Sequence, residues 1–359
     1  MFASFRIVII ASIFSFLTGC SASLGGYLLK QGVTQLKINS KKIPVDKALK
    51  DPNIPEEIKS KLEYAQAVKQ YAEDSLGLEK SKNYTYYLPF ENAYLTYVVT
   101  AAQQYSMDQL SWNYPLVGSL PYRGFFELED AKAEAARLEE KGYDTYIRGV
   151  SAYSTLGWFA DPLTKPQLEH YTHAALAELI IHELTHTTIY FSGEGDFNET
   201  LAEFVAGVGT RGFLIQQYGI NNSPLAEWEI SHKDEEVWNE FVRDAVKVLT
   251  KFYKKNRSSP NKEEIKKKVY AILKDRFRTM YLSRINNRKA YEALLNNKWN
   301  NAFLLSQYTY TKDPKLFERL YVMSGSNMPL FLKKIKGIKN RPRKESAYAA
   351  LRALMDTKK

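Results

Sequence analysis

Cysteine is almost absent from this chain: Cys20 is the only one in 359 residues. A lone cysteine excludes an intramolecular disulfide framework. Histidine is scarce as well, with five residues, so any cluster of imidazoles has few members to draw on. No internal repeat is visible. No apolar run reaches the roughly twenty residues that a helix needs to cross a bilayer. Basic residues exceed acidic ones by ten, yet no nucleic-acid motif accompanies them. The densest runs, Lys266–Lys268 and Lys333–Lys334, lie among acidic residues and read as solvated helix faces. Nucleic acid is therefore not an expected partner. A hydrophobic content of 45% with 25% charged residues excludes disorder, because enough apolar surface is available to offset the entropy of folding. The 25 tyrosines serve either as core and surface filler or as the lining of a groove.

The first twenty residues read as an address. One basic side chain, Arg6, precedes the apolar run Ile7–Phe16, and Leu17-Thr18-Gly19-Cys20 follows. This is the pattern of a secretory signal peptide, and its last four residues resemble the bacterial lipobox. The resemblance implies cleavage after residue 19 and lipidation of Cys20. Several acyl chains on that residue would anchor the chain stably to a membrane. Ser21 stands where an acidic retention residue would otherwise be, so the expected location is the outer membrane, facing the periplasm. With Cys20 consumed, the mature chain has no thiol, and a transition-metal site must use His, Asp and Glu.

The expected organisation is a signal peptide over residues 1–19, a lipidated N-terminus with tether or first helix over 20–40, and one large domain over 41–359. The first helix is expected from near Gly26. Apolar residues at three- and four-residue steps, Ile58, Leu62, Ala65, Val68 and Tyr71, predict a helix over 55–80. Residues 91–108 and 129–141 are also expected to be helical, the latter ending at Gly142. The stretch from Pro115 to Phe126 reads as short extended pieces, and 143–158 as strand. One long helix is expected over 166–192, stopping at Gly193, and a second from near Asn198. From about residue 222 onward nearly everything reads as helix. The fold class is α+β, mainly helical, with a small central sheet.

One motif carries chemistry. His182-Glu183-Leu184-Thr185-His186 has the form H-E-x-x-H, inside the apolar helical run Ala174–Ile181. Imidazoles at i and i+4 share a helix face, so both can reach one Zn²⁺. Glu183 flanks that point and can act as general base. A catalytic zinc takes three protein ligands and leaves one position open. A turn through Gly193–Asp196 and a second helix can return Glu199 to the metal; Glu194, Asp196 and Glu203 are the fallback ligands. Glu203, one turn beyond Glu199, is a candidate to hydrogen-bond and orient His182. His170, His173 and His232 read as surface or packing residues. Tyr153, Arg123, Tyr308 and Tyr310 are candidates to stabilise an oxyanion or bind substrate. The segment 153–162 could be an edge strand for an extended peptide, with Gly157 permitting close backbone approach.

The arrangement H-E-x-x-H followed by Asn198-Glu199 resembles the Glu-zincin metallopeptidases, with a shorter spacing of twelve residues between His186 and Glu199. The likeness widens over Trp112–Gly118, Tyr122–Phe126, Ala152–Pro162 and Phe197–Ala202. Together these resemble a bacterial aminopeptidase family of predicted zinc lipoproteins, across roughly residues 25 to 335. The resemblance implies a zincin-like fold, zinc on His182, His186 and Glu199, catalysis by Glu183, and a peptide substrate. The competing expectations are an endopeptidase acting on proteins or wall peptides, and a non-catalytic zinc lipoprotein that binds a peptide or protein partner.

Overall fold

The computed structural model describes residues 22–114, 118–150, 160–308, 314–342 and 345–356. The signal peptide, Cys20, Tyr153, Gly157 and Tyr310 lie outside the described residues, as does most of the expected edge strand.

The chain opens with helix α1 (Ala22–Ser40), β1 (Ile43–Pro44), the single turn α2 (Val45–Ala48) and α3 (Glu56–Asp74). Of the apolar positions of α3 named above, Ile58, Leu62, Ala65 and Val68 are buried and Tyr71 packs half-buried against the same core, as the 3.6-residue period requires. The helix is shorter than expected: the chain leaves it at Ser75, and Gly77 adopts a left-handed φ of 76°.

Residues 91–108 are not helical. They hold β3 (Thr96–Gln103), the middle strand of a three-stranded sheet and antiparallel to both neighbours. Val99, Ala101 and Ala102 are completely buried. A strand buried on both faces loses the polar alternation that identifies strands. Its partners are β6 (Arg123–Phe125) and β7 (Tyr143–Val150). Between β3 and β6 in the chain lies the pair β4 (Trp112–Tyr114) and β5 (Gly118–Leu120). Helix α4 (Leu128–Glu139) covers the main sheet and stops before Gly142, whose φ is 81°. A third sheet pairs β2 (Tyr86–Leu88) with β1 and with β8 (Leu163–Thr164). In place of one central sheet, the described residues carry three small ones.

The long helix expected over 166–192 is two helices. α5 (Lys165–His170) ends at Tyr171, and α6 (His173–Thr188) restarts on Thr172, whose hydroxyl accepts the Ala175 N–H at 3.1 Å. Then come α7 (Gly195–Tyr218) and α8 (Ser223–Lys255). The remaining helices are α9 (Lys262–Arg276), α10 (Arg288–Leu295), α11 (Asn301–Tyr308), α12 (Lys315–Val322), α13 (Met328–Gly337) and α14 (Ala347–Asp356). The mainly helical α+β class is as expected. No described helix is long and apolar enough to cross a membrane.

Two large apolar clusters organise these elements. One gathers α3, α6 and α7 with α12–α14. The other is aromatic, built on Trp238, Phe241, Phe277, Tyr281, Trp299 and Phe303. Asn301 ties the second to the sheet. Its buried amide accepts from the Tyr253 and Tyr270 hydroxyls at 2.8 and 2.5 Å and donates to the carbonyls of Gln103, Gln104 and Ser106.

Candidate metal centre

Helices α6 and α7 pack side by side. Gly209 allows the approach: a Cβ there would meet Leu76 Cδ1 at 2.6 Å and Ile181 Cδ1 at 3.1 Å. The connection between the helices is held by Asn198, whose side chain accepts from the Phe191 N–H at 2.9 Å and donates to the Phe191 carbonyl at 2.8 Å. Gly193 turns the chain with a φ of 77°. This clamp places Glu199, the next residue, beside α6.

Three side chains then converge. His182 Nε2 lies 3.0 Å from His186 Nε2, and Glu199 oxygens lie 3.5 Å from each. A tetrahedral zinc with bonds of about 2.0–2.1 Å separates its ligand atoms by about 3.3–3.4 Å. The observed triangle therefore fits such an ion, and two nitrogens with one carboxylate are a donor set that zinc accepts. Among the described residues this is the one group of histidine and acidic side chains whose donor atoms converge in this way. One oxygen of Glu183 and Nδ1 of His186 are buried without a hydrogen-bond partner. The side chains of His182 and Glu199 stay about a fifth exposed, at 19% and 24%, so small molecules can reach the triangle.

Electrostatics distinguish the two imidazoles. Burial opposes charge on His182, but the adjoining Glu199 carboxylate and the charges of Glu183, Glu199 and Glu203 prevail and hold its pKa up to about 9. At His186 burial wins, and its pKa is lowered. Burial also works against ionised Glu199, yet His182, His186 and Arg148 pull its pKa below the usual value. The triangle is thus poised to hold a cation, whether a proton or a metal ion.

A family model described as "Putative aminopeptidase" matches residues 26–350. The chain belongs to this family. The resemblance drawn from the sequence motifs is borne out, and membership supports a peptidase at that coarse level. No curated protein matches the chain, and no solved structure matches it.

The fallback ligands have other places. Glu194 accepts from Arg341 Nη2 at 3.1 Å and from the Ala347 N–H at 2.9 Å, fastening the C-terminal segment to the α6–α7 turn. Asp196 and Glu203 are not in the converging triangle. Glu203 interacts with His182 electrostatically, but burial pushes its own pKa up to about 8; among the described residues no hydrogen bond joins them. Arg123 is engaged with Glu134 at 3.3 Å and lies over the Tyr27 ring, 3.9 Å from its centre. Tyr308 packs on Ala102, Ala302 and Leu305. His170 is exposed, and His173 packs on Tyr64 with ring centres 4.3 Å apart. His232 is not solitary: its Nε2 lies 2.8 Å from Glu178 Oε1.

Sequence reasoning misses three neighbours of the centre. Arg148, near the end of β7, and Tyr190, after α6, both interact electrostatically with Glu199. Tyr84 is buried, with a left-handed φ of 62°, and its phenol is under the influence of Glu183. The sequence holds one usable signal: Tyr190 falls between the second histidine and the third ligand.

Proposed function

We propose that the chain is a zinc-dependent peptide hydrolase of aminopeptidase type, zincin-like, and held to the bacterial envelope by a lipid on Cys20. The observation that carries this reading is the triangle of His182, His186 and Glu199 with a buried, unpartnered Glu183 oxygen on the same helix. A closed structural zinc would draw a fourth protein ligand and has no use for a free carboxylate.

When bound, zinc supplies Lewis acidity, polarising the scissile carbonyl and acidifying water. The protein's residues do the rest. His182, His186 and Glu199 present three donors from two packed helices, so the ligand geometry is set before substrate arrives. Glu183 accepts the proton of the attacking water at its carboxylate and returns it to the departing amine, ending the cycle ionised as it began. Arg148 and Tyr190, which interact electrostatically with Glu199, and Tyr84, which does so with Glu183, carry N–H or O–H groups suited to stabilise a developing oxyanion, a role that calls for preorganised donors. The anchor is supported by the lipobox-like Leu17–Cys20 at the end of the apolar run Ile7–Phe16. An outer-membrane position facing the periplasm follows from the same signal.

The test is Glu183→Gln. It is expected to keep its zinc and to lose peptide hydrolysis by about 10²–10⁴-fold, the usual worth of a general base. A variant that still hydrolyses peptides, or that sheds its metal, contradicts the role assigned to Glu183.

A further inference from the structure

Helix α1 shows aliphatic side chains on the face turned away from the fold. Its other face is docked. The Tyr27 hydroxyl donates to the Gly124 carbonyl at 2.7 Å, Lys30 pairs with Asp130 at 2.7 Å, and Ile38 is buried with Leu88, Leu95 and Phe126. The outward face carries Leu28, Val33 and Leu36, which are 38%, 45% and 64% exposed. Positions 28, 32 and 36 follow one another at single helical turns and form a line, with Val33 beside it. A Cβ at Gly32 would meet nothing within 4 Å, so no other part of the fold covers this line.

The charges of the segment have one sign. No Asp or Glu occurs from Ala22 to Val45. Lys30 and Lys37 stand one turn to either side of Val33 and border the aliphatic face. Lys37 and Lys41 are exposed, and neither has a carboxylate partner among the described residues. Outward aliphatic side chains, a cationic border and no acid suit the boundary between anionic headgroups and acyl chains. Position selects a bilayer over a protein partner. Cys20, the residue proposed above to carry lipid, stands two residues before the first residue of α1. Two extended residues span about 7 Å at most, so lipid on Cys20 would hold the start of this helix at the headgroups.

We propose that α1 lies in the surface of the membrane that carries the anchor, with Leu28, Val33 and Leu36 among the acyl chains and Lys37 and Lys41 at anionic headgroups. The inference rests on the lipid-anchor reading above and adds a second contact, which fixes how the protein sits. α1 meets the β6 edge of the main sheet at Gly124. Gly124 pairs with Val98, and Val98 pairs with Arg148 on β7, the opposite edge. Arg148 acts by its charge on Glu199. The sheet then stands between the bilayer and the metal centre, and peptide reaches that centre from the aqueous side.

The test reads depth in the membrane. The full chain, isolated in its lipidated form, is reconstituted in vesicles of phosphatidylethanolamine and phosphatidylglycerol. A nitroxide is attached to Val33→Cys, Leu36→Cys or Ile272→Cys, and its depth is read from collisions with oxygen and with a water-soluble nickel chelate. Ile272 on α9 is as exposed as Leu36, at 64%, and α9 is tied to β7 by Lys266 and Asp144 at 2.7 Å. The labels at 33 and 36 are expected about 5–10 Å below the headgroups, and the label at 272 in water. A water-like reading at 33 or 36, or equal depth at all three positions, overturns the proposal. Dipolar broadening between labels at 36 also overturns it, because a second copy of the chain would then cover the line. The two readings fail separately. The native chain should take no nitroxide, since its one thiol carries lipid. A native chain that takes the label sinks the anchor, and the depths are then read with Cys20→Ala added: labels at depth keep the role of α1, and labels in water sink it too. A native chain that stays unlabelled while 33 and 36 read as water keeps the anchor and sinks the role of α1.

Discussion

Residues that act over one or two helical turns are legible in the sequence itself. His182, Glu183 and His186 fall on one helix because their spacing is helical, and Glu199 follows from a turn of the right length. Arg148, Tyr190 and Tyr84 are not legible, since no sequence spacing ties a strand end or a buried loop tyrosine to a helix. His232 reads as solitary for the same reason: its partner, Glu178, lies on a different helix and meets it only through packing. That pair makes a testable statement about pH. Burial works against charge on His232, but the hydrogen-bonded Glu178 and the charges of Glu178, Glu235 and Glu236 raise its pKa. The folded chain therefore holds this proton more tightly than the unfolded one. Its contribution to stability is complete below about pH 6.5 and fades as pH rises through the higher folded value. The gap in melting temperature between native chain and His232→Gln should be wider at about pH 6 than at about pH 9. A gap independent of pH would mean that the pair carries no proton.

Elements are harder to read than residues where burial hides their pattern. β3 reads as helix because both of its faces are buried, leaving no alternation to detect. The strands β1, β2, β4, β5, β6 and β8 are two or three residues long, too short for any period. The break between α5 and α6 rests on one capping threonine, a local choice that a continuous apolar pattern conceals. By contrast α3, α4 and the helical region from Ser223 onward fall close to their expected places, because one polar face and one apolar face persist through several turns. At this scale the decisive joint is the α6–α7 connection. Asn198→Ala removes two buried hydrogen bonds and strands the Phe191 N–H and carbonyl. Chemical denaturation should show a loss of about 2–4 kcal/mol, with weakened zinc affinity because Glu199 is no longer held. Unchanged stability would mean that the turn is set by Gly193 and packing alone.

Across the whole molecule, the tyrosines answer one question that composition leaves open. Tyr253 and Tyr270 bury their rings in the aromatic cluster and hand their hydroxyls to Asn301, so at least these two hold the helical and sheet parts together. Asn301→Ala takes a partner from two buried tyrosine hydroxyls and three loop carbonyls and should cost about 3 kcal/mol, seen as a lower melting temperature. A neutral effect would mean that the C-terminal helices dock through apolar contact alone. The frame has a functional sense: it sets two helices, and the helices bring together three side chains that could hold one metal ion. The most direct test is therefore metal content. The full chain and its Glu199→Ala variant are equilibrated with zinc, freed of excess by dialysis and assayed by atomic emission. About one zinc per native chain, lost from the variant, is the expected result for a three-ligand site. A native chain that retains no zinc, or a variant that retains as much as the native chain, would contradict the assigned centre.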